Sequence, residues 1–277
     1  MKNKFTKEHS RDYSLFRVKI WSEVMEEDLK ELVDFSTDKF CAVYRGDGLV
    51  DMYYGESVMK DLFKSVSKMC QDKEFVEKQI DNFLNIFKKL KPYYEEEKEI
   101  QDMKELKSFY KLYKKFWGPL AFIFMIPEIK NIDEDIKNKA YKAREKTQEY
   151  NKHSEKVFNK FFNKMYPNLE DDVRFVLPEE VYNEVSEDEL DKKIQNRKRG
   201  FVFYKGKLYA QKPIDKILSD LGITISHSEL AEIVSDQSNE NHHIFEKTFS
   251  RDITFLLASS GFYNFPEAIK NSDNTLV

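Results

Sequence analysis

The sequence predicts a mainly α-helical fold, an elongated helical bundle carrying one or two small β-hairpins, on three observations. Only 8 Gly and 7 Pro occur in 277 residues, far below the roughly 12% combined average, so chain-breakers are scarce. Apolar residues recur at spacings of three and four over long windows, the period of a helix with one buried face. Strand-like runs are confined to two short stretches, each bracketing a glycine-bearing turn.

Taken in order, residues 24–35 are acidic and weakly periodic and predict a short helix. Cys41-Ala42-Val43-Tyr44, the turn Arg45-Gly46-Asp47-Gly48 and residues 49–54 predict the first hairpin. Leu62, Phe63, Val66, Met69 and Cys70 mark a helix, and Val76, Ile80, Phe83, Leu84, Phe87 and Leu90 form a continuous stripe on the next, stopped by Pro92. Leu106, Phe109, Tyr110, Tyr113, Phe116 and Trp117 lie on a third helix that runs towards Ile126-Pro127, with a kink or a new start at Pro119.

Residues 141–165 predict a fourth long helix, with Val157, Phe158, Phe161, Phe162 and Met165 inward and Pro167 closing it. Leu177-Pro178-Glu179-Glu180 puts proline at a first helical position with acids beside it, which suits the helix dipole. Ser186-Glu187-Asp188-Glu189 spells a capping box. Gly200-Phe201-Val202-Phe203-Tyr204, Lys205-Gly206 and Lys207-Leu208-Tyr209-Ala210 form the second hairpin, and short helices follow near 214–221 and 229–235. The expected organisation is a helical domain over 1–235, with hairpins near 41–54 and 201–210, and a linker with a C-terminal helical segment over 236–277.

Charge is dense but balanced, 46 basic against 50 acidic residues for a net of −4, so no global field recruits nucleic acid or an anionic membrane. Cys41 and Cys70 have no metal-ligand spacing and make no disulfide framework; they predict buried small apolar residues in a reducing, cytoplasmic setting. The N-terminal residues have no apolar core of a signal peptide, and the longest apolar run, residues 116–126, is broken by Gly118-Pro119. A bilayer span needs about 20 residues. His242, His243 and Glu246 have no further ligand at zinc spacing, and no metal or cofactor is expected.

Candidate site residues each carry a plainer alternative. Arg11 and Asp12 either bind an anion or organise a pocket, or else cap a helix and pair across helices. Tyr113 and Trp117, four apart beside Gly118-Pro119, are core residues or a ligand platform. Arg144 and His153 lie nine apart on the expected fourth helix and serve a pocket or an interhelical hydrogen bond. If a pocket exists, the helical break places it between the helices carrying Trp117 and Arg144, with Tyr113 and His153 near its wall. The lysines at 104, 107, 111, 114 and 115 mark a solvated face rather than a phosphate contact.

In their order along the chain, Ser10-Arg11-Asp12-Tyr13-Ser14-Leu15, the tyrosine-bearing first hairpin, Tyr141-Lys142-Ala143-Arg144-Glu145, Leu177-Pro178-Glu179-Glu180-Val181 and Arg197-Lys198-Arg199-Gly200-Phe201-Val202-Phe203-Tyr204 carry a resemblance. From about residue 5 to 210 the chain resembles the helical middle, substrate-binding or linker region of phosphoenolpyruvate-utilising phosphotransferases, the group of phosphoenolpyruvate synthase, pyruvate phosphate dikinase and rifampicin phosphotransferase. The resemblance implies a domain that binds a small molecule and lacks phosphoryl-transfer chemistry of its own. It implies ATP-grasp and phosphohistidine domains as partners; a pure scaffold docking such proteins is the alternative.

No glycine-rich phosphate loop occurs in the sequence, and no ATP-grasp domain is expected ahead of Lys4. Thr224-Ile225-Ser226-His227-Ser228 is similar to the family's phosphohistidine motif. It lacks the preceding glycine pair, so His227 is expected to open a helix rather than to accept phosphate. Phe249-Ser250-Arg251-Asp252 repeats the opening segment and suggests a split or truncated longer polypeptide.

Overall fold

A sheet holds the molecule together. The computed structural model describes residues 3–129, 132–148, 150 and 153–227. The elements are β1 (Asn3–Arg11), α1 (Leu15–Glu23), a π-helical turn (Val24–Asp28), α2 (Leu29–Val33), β2 (Phe40–Tyr44), β3 (Val50–Gly55), α3 (Val58–Met69), α4 (Lys73–Tyr94), α5 (Met103–Met125), α6 (Glu134–Gln148), α7 (His153–Met165), α8 (Pro178–Tyr182), α9 (Glu187–Arg199), β4 (Phe201–Tyr204), β5 (Lys207–Tyr209), α10 (Ile214–Asp220) and β6 (Ile223–His227).

The strands form one six-stranded sheet in the order β5-β4-β2-β3-β1-β6. It is mixed: β1 pairs parallel to β6 and antiparallel to β3, and the remaining ladders are antiparallel. This overturns the expected elongated bundle with small hairpins. Helix is 63% of the structure, but the sheet curls into a half-barrel against which the helices pack. The two hairpins are joined through the β2–β4 ladder, where Cys41 faces Tyr204 and Tyr44 faces Phe201.

Alternation across the strands explains why this sheet escapes a sequence pattern. Phe40, Ala42, Tyr44, Met52, Tyr54, Phe201 and Phe203 join the main core with the helices. Phe5, Cys41, Val43, Tyr53, Val202 and Tyr204 pack on the opposite face against Ile217 and Leu218 of α10. A strand buried on both faces reads as a continuous apolar run rather than an alternation. β1, by contrast, is polar along most of its length and half-buried, and its parallel partner lies more than two hundred residues away.

The helices follow their apolar stripes with two further differences. The expected fourth helix over 141–165 is two helices, α6 and α7, separated at Tyr150, whose N–H bonds to Thr147 O at 3.1 Å. Neither Pro92 nor Pro119 ends its helix: α4 continues to Tyr94 and α5 runs unbroken from Met103 to Met125. Ser186 caps α9 by accepting from Glu189 N, and Pro178 opens α8. Cys41 and Cys70 are buried free thiols. No helix among the described residues is long and apolar enough to cross a membrane.

His227 is the last residue of β6, beside Lys7 of β1, and so ends a strand instead of opening a helix. The expected helix over 229–235, the 236–241 linker, His242, His243, Glu246 and the repeated Ser250-Arg251-Asp252 all lie outside the described residues.

Candidate functional site

The site begins where β1 gives way to α1. A bulge between Lys7 and His9 shifts the register of β1 against β3, the kind of irregularity that re-aims a side chain at the end of a strand. The chain then turns, with Tyr13 N bonding Arg11 O at 2.9 Å, and Ser14 caps α1 by accepting from Arg17 N at 3.3 Å. α1 presents Arg17 and Trp21, four apart, on one face, and Tyr13 lies just ahead of the Ser14 cap beside Arg17.

They meet α5, whose Trp117, Leu120, Ala121, Phe124 and Met125 form the opposite wall; β3 adds Met52 and Tyr54, and α3 adds Met59 and Leu62. Between them is a cavity of about 50 Å³. It is largely apolar, and it holds a few water-sized groups, not a drug-sized molecule.

Arg17 is the charge of this pocket and is 4% exposed. Its guanidinium carbon lies 5.1 Å from the Tyr13 ring centre and 5.5 Å from that of Trp117. Glu155 of α7 is its counter-ion, with Oε1 3.8 Å from Nε. The same oxygen accepts from Ser14 N at 3.2 Å and Ser14 Oγ at 2.7 Å, so the first turn of α1 fixes the carboxylate. Burial works against the Arg17 charge, but Glu155 and the hydroxyls of Tyr113 and Tyr13 outweigh it and raise the pKa further. Arg17 is therefore a permanent cation in an apolar wall.

Three more polar groups line the pocket. Trp21 Nε1 donates to Tyr54 Oη at 2.6 Å. Trp117 Nε1 and His9 Nδ1 are buried and make no hydrogen bond with any described residue. Burial, reinforced by the nearby Arg11 charge, pushes His9 down to about 3, so its imidazole is neutral at physiological pH. Buried polar atoms are rarely left unpaired, so the pocket presents two unmet groups, a donor at Trp117 Nε1 and, depending on the tautomer, a donor or an acceptor at His9 Nδ1.

The structure separates the residues singled out from sequence. Trp117 lines the pocket, and Tyr113 stands next to it with ring centres 6.0 Å apart. Tyr113 is core: it stacks on Phe16 and Phe109 and borders a second cavity of about 10 Å³ with Trp117, Thr147 and Tyr150. That small void lies between α5 and α6, where the larger pocket was expected. Arg144 lies 4.1 Å from the Phe124 ring centre and lines neither cavity.

His153 lies in a separate open groove of about 290 Å³ with Tyr93, Lys156, Lys160 and Phe161. Arg11 donates to Ser10 O at 2.7 Å, and exposed Asp12 pairs with Arg174 at 2.5 Å, so both secure the turn after β1. Only the backbone of His227 is described, at the β6 edge.

Arg17, His9, Tyr13, Trp21 and Tyr54 did not stand out in the sequence. The available signal was the Tyr13-Arg17-Trp21 spacing, with an arginine amid Leu15, Phe16, Val18 and Ile20. An arginine within such a run is a buried cation that needs partners. Among the described residues no cluster of His, Cys, Asp and Glu could hold a metal ion. No family model, curated protein or solved structure matches this chain at a significant level.

Proposed function

We propose that the chain is a small-molecule-binding domain whose site is the Arg17–Trp117 pocket. In the phosphotransferase-like system suggested by its sequence motifs, it would hold an acceptor substrate while ATP-grasp and phosphohistidine domains supply the phosphoryl group. One observation carries this reading: buried Trp117 Nε1 has no hydrogen-bond acceptor among the described residues, and Trp117 lines an apolar cavity beside a fixed guanidinium. A pocket that is mostly apolar with a few convergent polar groups is the general form of a ligand site. The buried free thiols Cys41 and Cys70 suit a reducing compartment, which supports a cytoplasmic setting.

The test is a metabolite and antibiotic library screened by thermal shift, with hits repeated on Trp117→Phe and Leu120→Trp. Hits weakened by both changes support the pocket. Hits indifferent to both, or the lack of any hit, would overturn the assignment.

A scaffold that docks separately encoded phosphotransfer proteins is the second reading. It is favoured by an open groove of about 700 Å³ beside edge strand β5, lined by Lys193 and Asn196 of α9, Leu208 and Tyr209 of β5, and Ile217 and Leu221 at α10. An unpaired strand edge is a site for strand addition. Loss of partner binding on Tyr209→Pro, with pocket variants unaffected, would favour it.

A further inference from the structure

Resting on the pocket reading above, we infer that the group recognised in the Arg17–Trp117 pocket is the carboxylate of a small monocarboxylic acid, with its apolar part against the methionine-rich wall. The head-group chemistry follows from the donors. Trp117 Nε1–H only donates, the Arg17 guanidinium only donates, and the neutral His9 imidazole can present an N–H at Nδ1. A ligand amine or amide NH₂ would bring donors to donors. An acceptor-only head with two oxygens matches them, and planar carboxylate is the partner that a guanidinium recognises best.

Charge and size narrow the class further. Glu155 already sits 3.8 Å from Arg17, so the wall offers less than one full positive charge to a guest. A monoanion is accommodated there, whereas a phosphate dianion would be desolvated against a nearby carboxylate. The cavity of about 50 Å³ admits only a few heavy atoms, so the acid is a short one whose carbon chain lies against Met52, Met59, Leu62 and Met125. Methionine walls adapt to irregular apolar shapes. The bulge in β1 and the cap of α1 hold the donors before any ligand arrives, which lowers the ordering cost of binding.

The chain has two tryptophans, Trp21 and Trp117, and both line this cavity; Trp117 also borders the second cavity, which at about 10 Å³ is too small for the probes, so indole signals report on the larger one. The experiment titrates the full chain with acetate and propanoate, with the neutral isosteres acetamide and propanamide, and with ethylamine and inorganic phosphate. It follows tryptophan fluorescence and the two indole N–H resonances in ¹H–¹⁵N spectra, assigned with Trp117→Phe. The carboxylates should shift the Trp117 resonance and bind about tenfold or more tighter than the amides, the scale of a charge-assisted hydrogen bond. Trp117→Phe should weaken the carboxylates more than the amides, whose carbonyl oxygen accepts only a neutral hydrogen bond from the same N–H.

Amides, the amine or the phosphate binding as well as the carboxylates would overturn the carboxylate assignment while leaving the pocket as a binding site. If the carboxylates leave the Trp117 resonance unmoved while a library compound moves it, the class is again wrong and the site stands. If no compound of any class moves it, the pocket reading itself fails. Arg17→Lys keeps the charge but loses the planar fork; unchanged carboxylate affinity in that variant would also count against the inference.

Discussion

Glu180 and Arg197 face each other in a bidentate ion pair, Nη1 to Oε2 and Nη2 to Oε1, both at 2.7 Å. They join the Leu-Pro-Glu-Glu-Val and Arg-Lys-Arg-Gly-Phe segments, two motifs that looked independent in the sequence. Arg197 also donates to Phe175 O at 2.6 Å, and Glu180 Oε2 accepts from Leu177 N at 3.0 Å. The pair thus closes α8, anchors α9 and positions the entry into β4. These motifs hold the scaffold and lie outside the Arg17–Trp117 pocket.

Both side chains are buried, at 8% and 6% exposure; removing Glu180 leaves Arg197 with only the Phe175 carbonyl, and removing Arg197 leaves Glu180 with only the Leu177 N–H and Lys193, 3.4 Å away at the surface. Arg197→Met and Glu180→Gln should each cost about 3 to 5 kcal/mol in a denaturant melt. The double variant should cost clearly less than the sum, since each single change removes the same interaction. Additive losses would mean the two residues do not act as a pair.

The long helices were legible from sequence where they show one apolar face; α1 was not, because Leu15, Phe16, Arg17, Val18 and Ile20 are buried almost without interruption. The stripe from Val76 to Leu90 does bury Val76, Ile80, Phe83, Phe87 and Leu90. The four hairpin strands were legible from apolar runs around glycine turns, but their union into one sheet was not: Phe40 to Tyr44 and Phe201 to Tyr204 are buried on both faces and carry no period that shows which strands pair, and β1 is a polar strand whose neighbours are set by tertiary pairing. Trp117 was legible as a candidate because it sits beside Gly118-Pro119. Arg17 was not, since Trp117 and Glu155, which surround its guanidinium together with nearby Tyr13, come from distant parts of the chain.

Phe83 and Phe161 distinguish a sealed core from a core edge. Phe83 is fully buried and stacks on Phe116 with ring centres 4.8 Å apart, whereas Phe161 is 7% exposed and borders the His153 groove. Phe83→Ala should cost about 3 to 5 kcal/mol, and Phe161→Ala should fall at or below the low end of that range because its surroundings can relax or admit water. Equal losses in chemical denaturation would contradict this difference.

Gly200 links α9 to β4 with φ at +143°, a region closed to most side chains, and a Cβ there would lie 3.0 Å from Tyr44 O and 3.1 Å from Ile214 Cδ1. Gly200→Ala should destabilise by more than about 1 kcal/mol, the usual scale when a side chain is forced into an incompatible backbone. Gly206, also at positive φ but with open space around it, should suffer less from the same change, its cost confined to the backbone. A comparison of melting temperatures checks both.

His9 makes stability depend on pH. Its folded-state pKa is held near 3 by burial and by Arg11 and Lys7, against the opposing pull of Asp51, while an unfolded histidine titrates near 6.5. Below that value the unfolded chain takes up a proton that the native state refuses, so this contribution is intact at pH 7 and is lost as pH falls towards 3. The loss amounts to at most about 1.4 kcal/mol per pH unit. His9→Gln should flatten the stability profile between pH 6.5 and 4 relative to wild type; superimposable slopes would show that His9 is not held neutral.

The last prediction concerns chemistry. If this chain binds an acceptor while other domains carry phosphate, the purified protein incubated with radiolabelled ATP or phosphoenolpyruvate should remain unlabelled. The sequence has no glycine-rich phosphate loop, and His227 stands at the end of β6, paired through the backbone with Lys7. A phosphohistidine survives alkali and is lost in acid, so the assay must be read before and after acid treatment. Acid-labile label removed by His227→Ala would make this a phosphocarrier and would relocate its function from the Arg17–Trp117 pocket to the β6 edge.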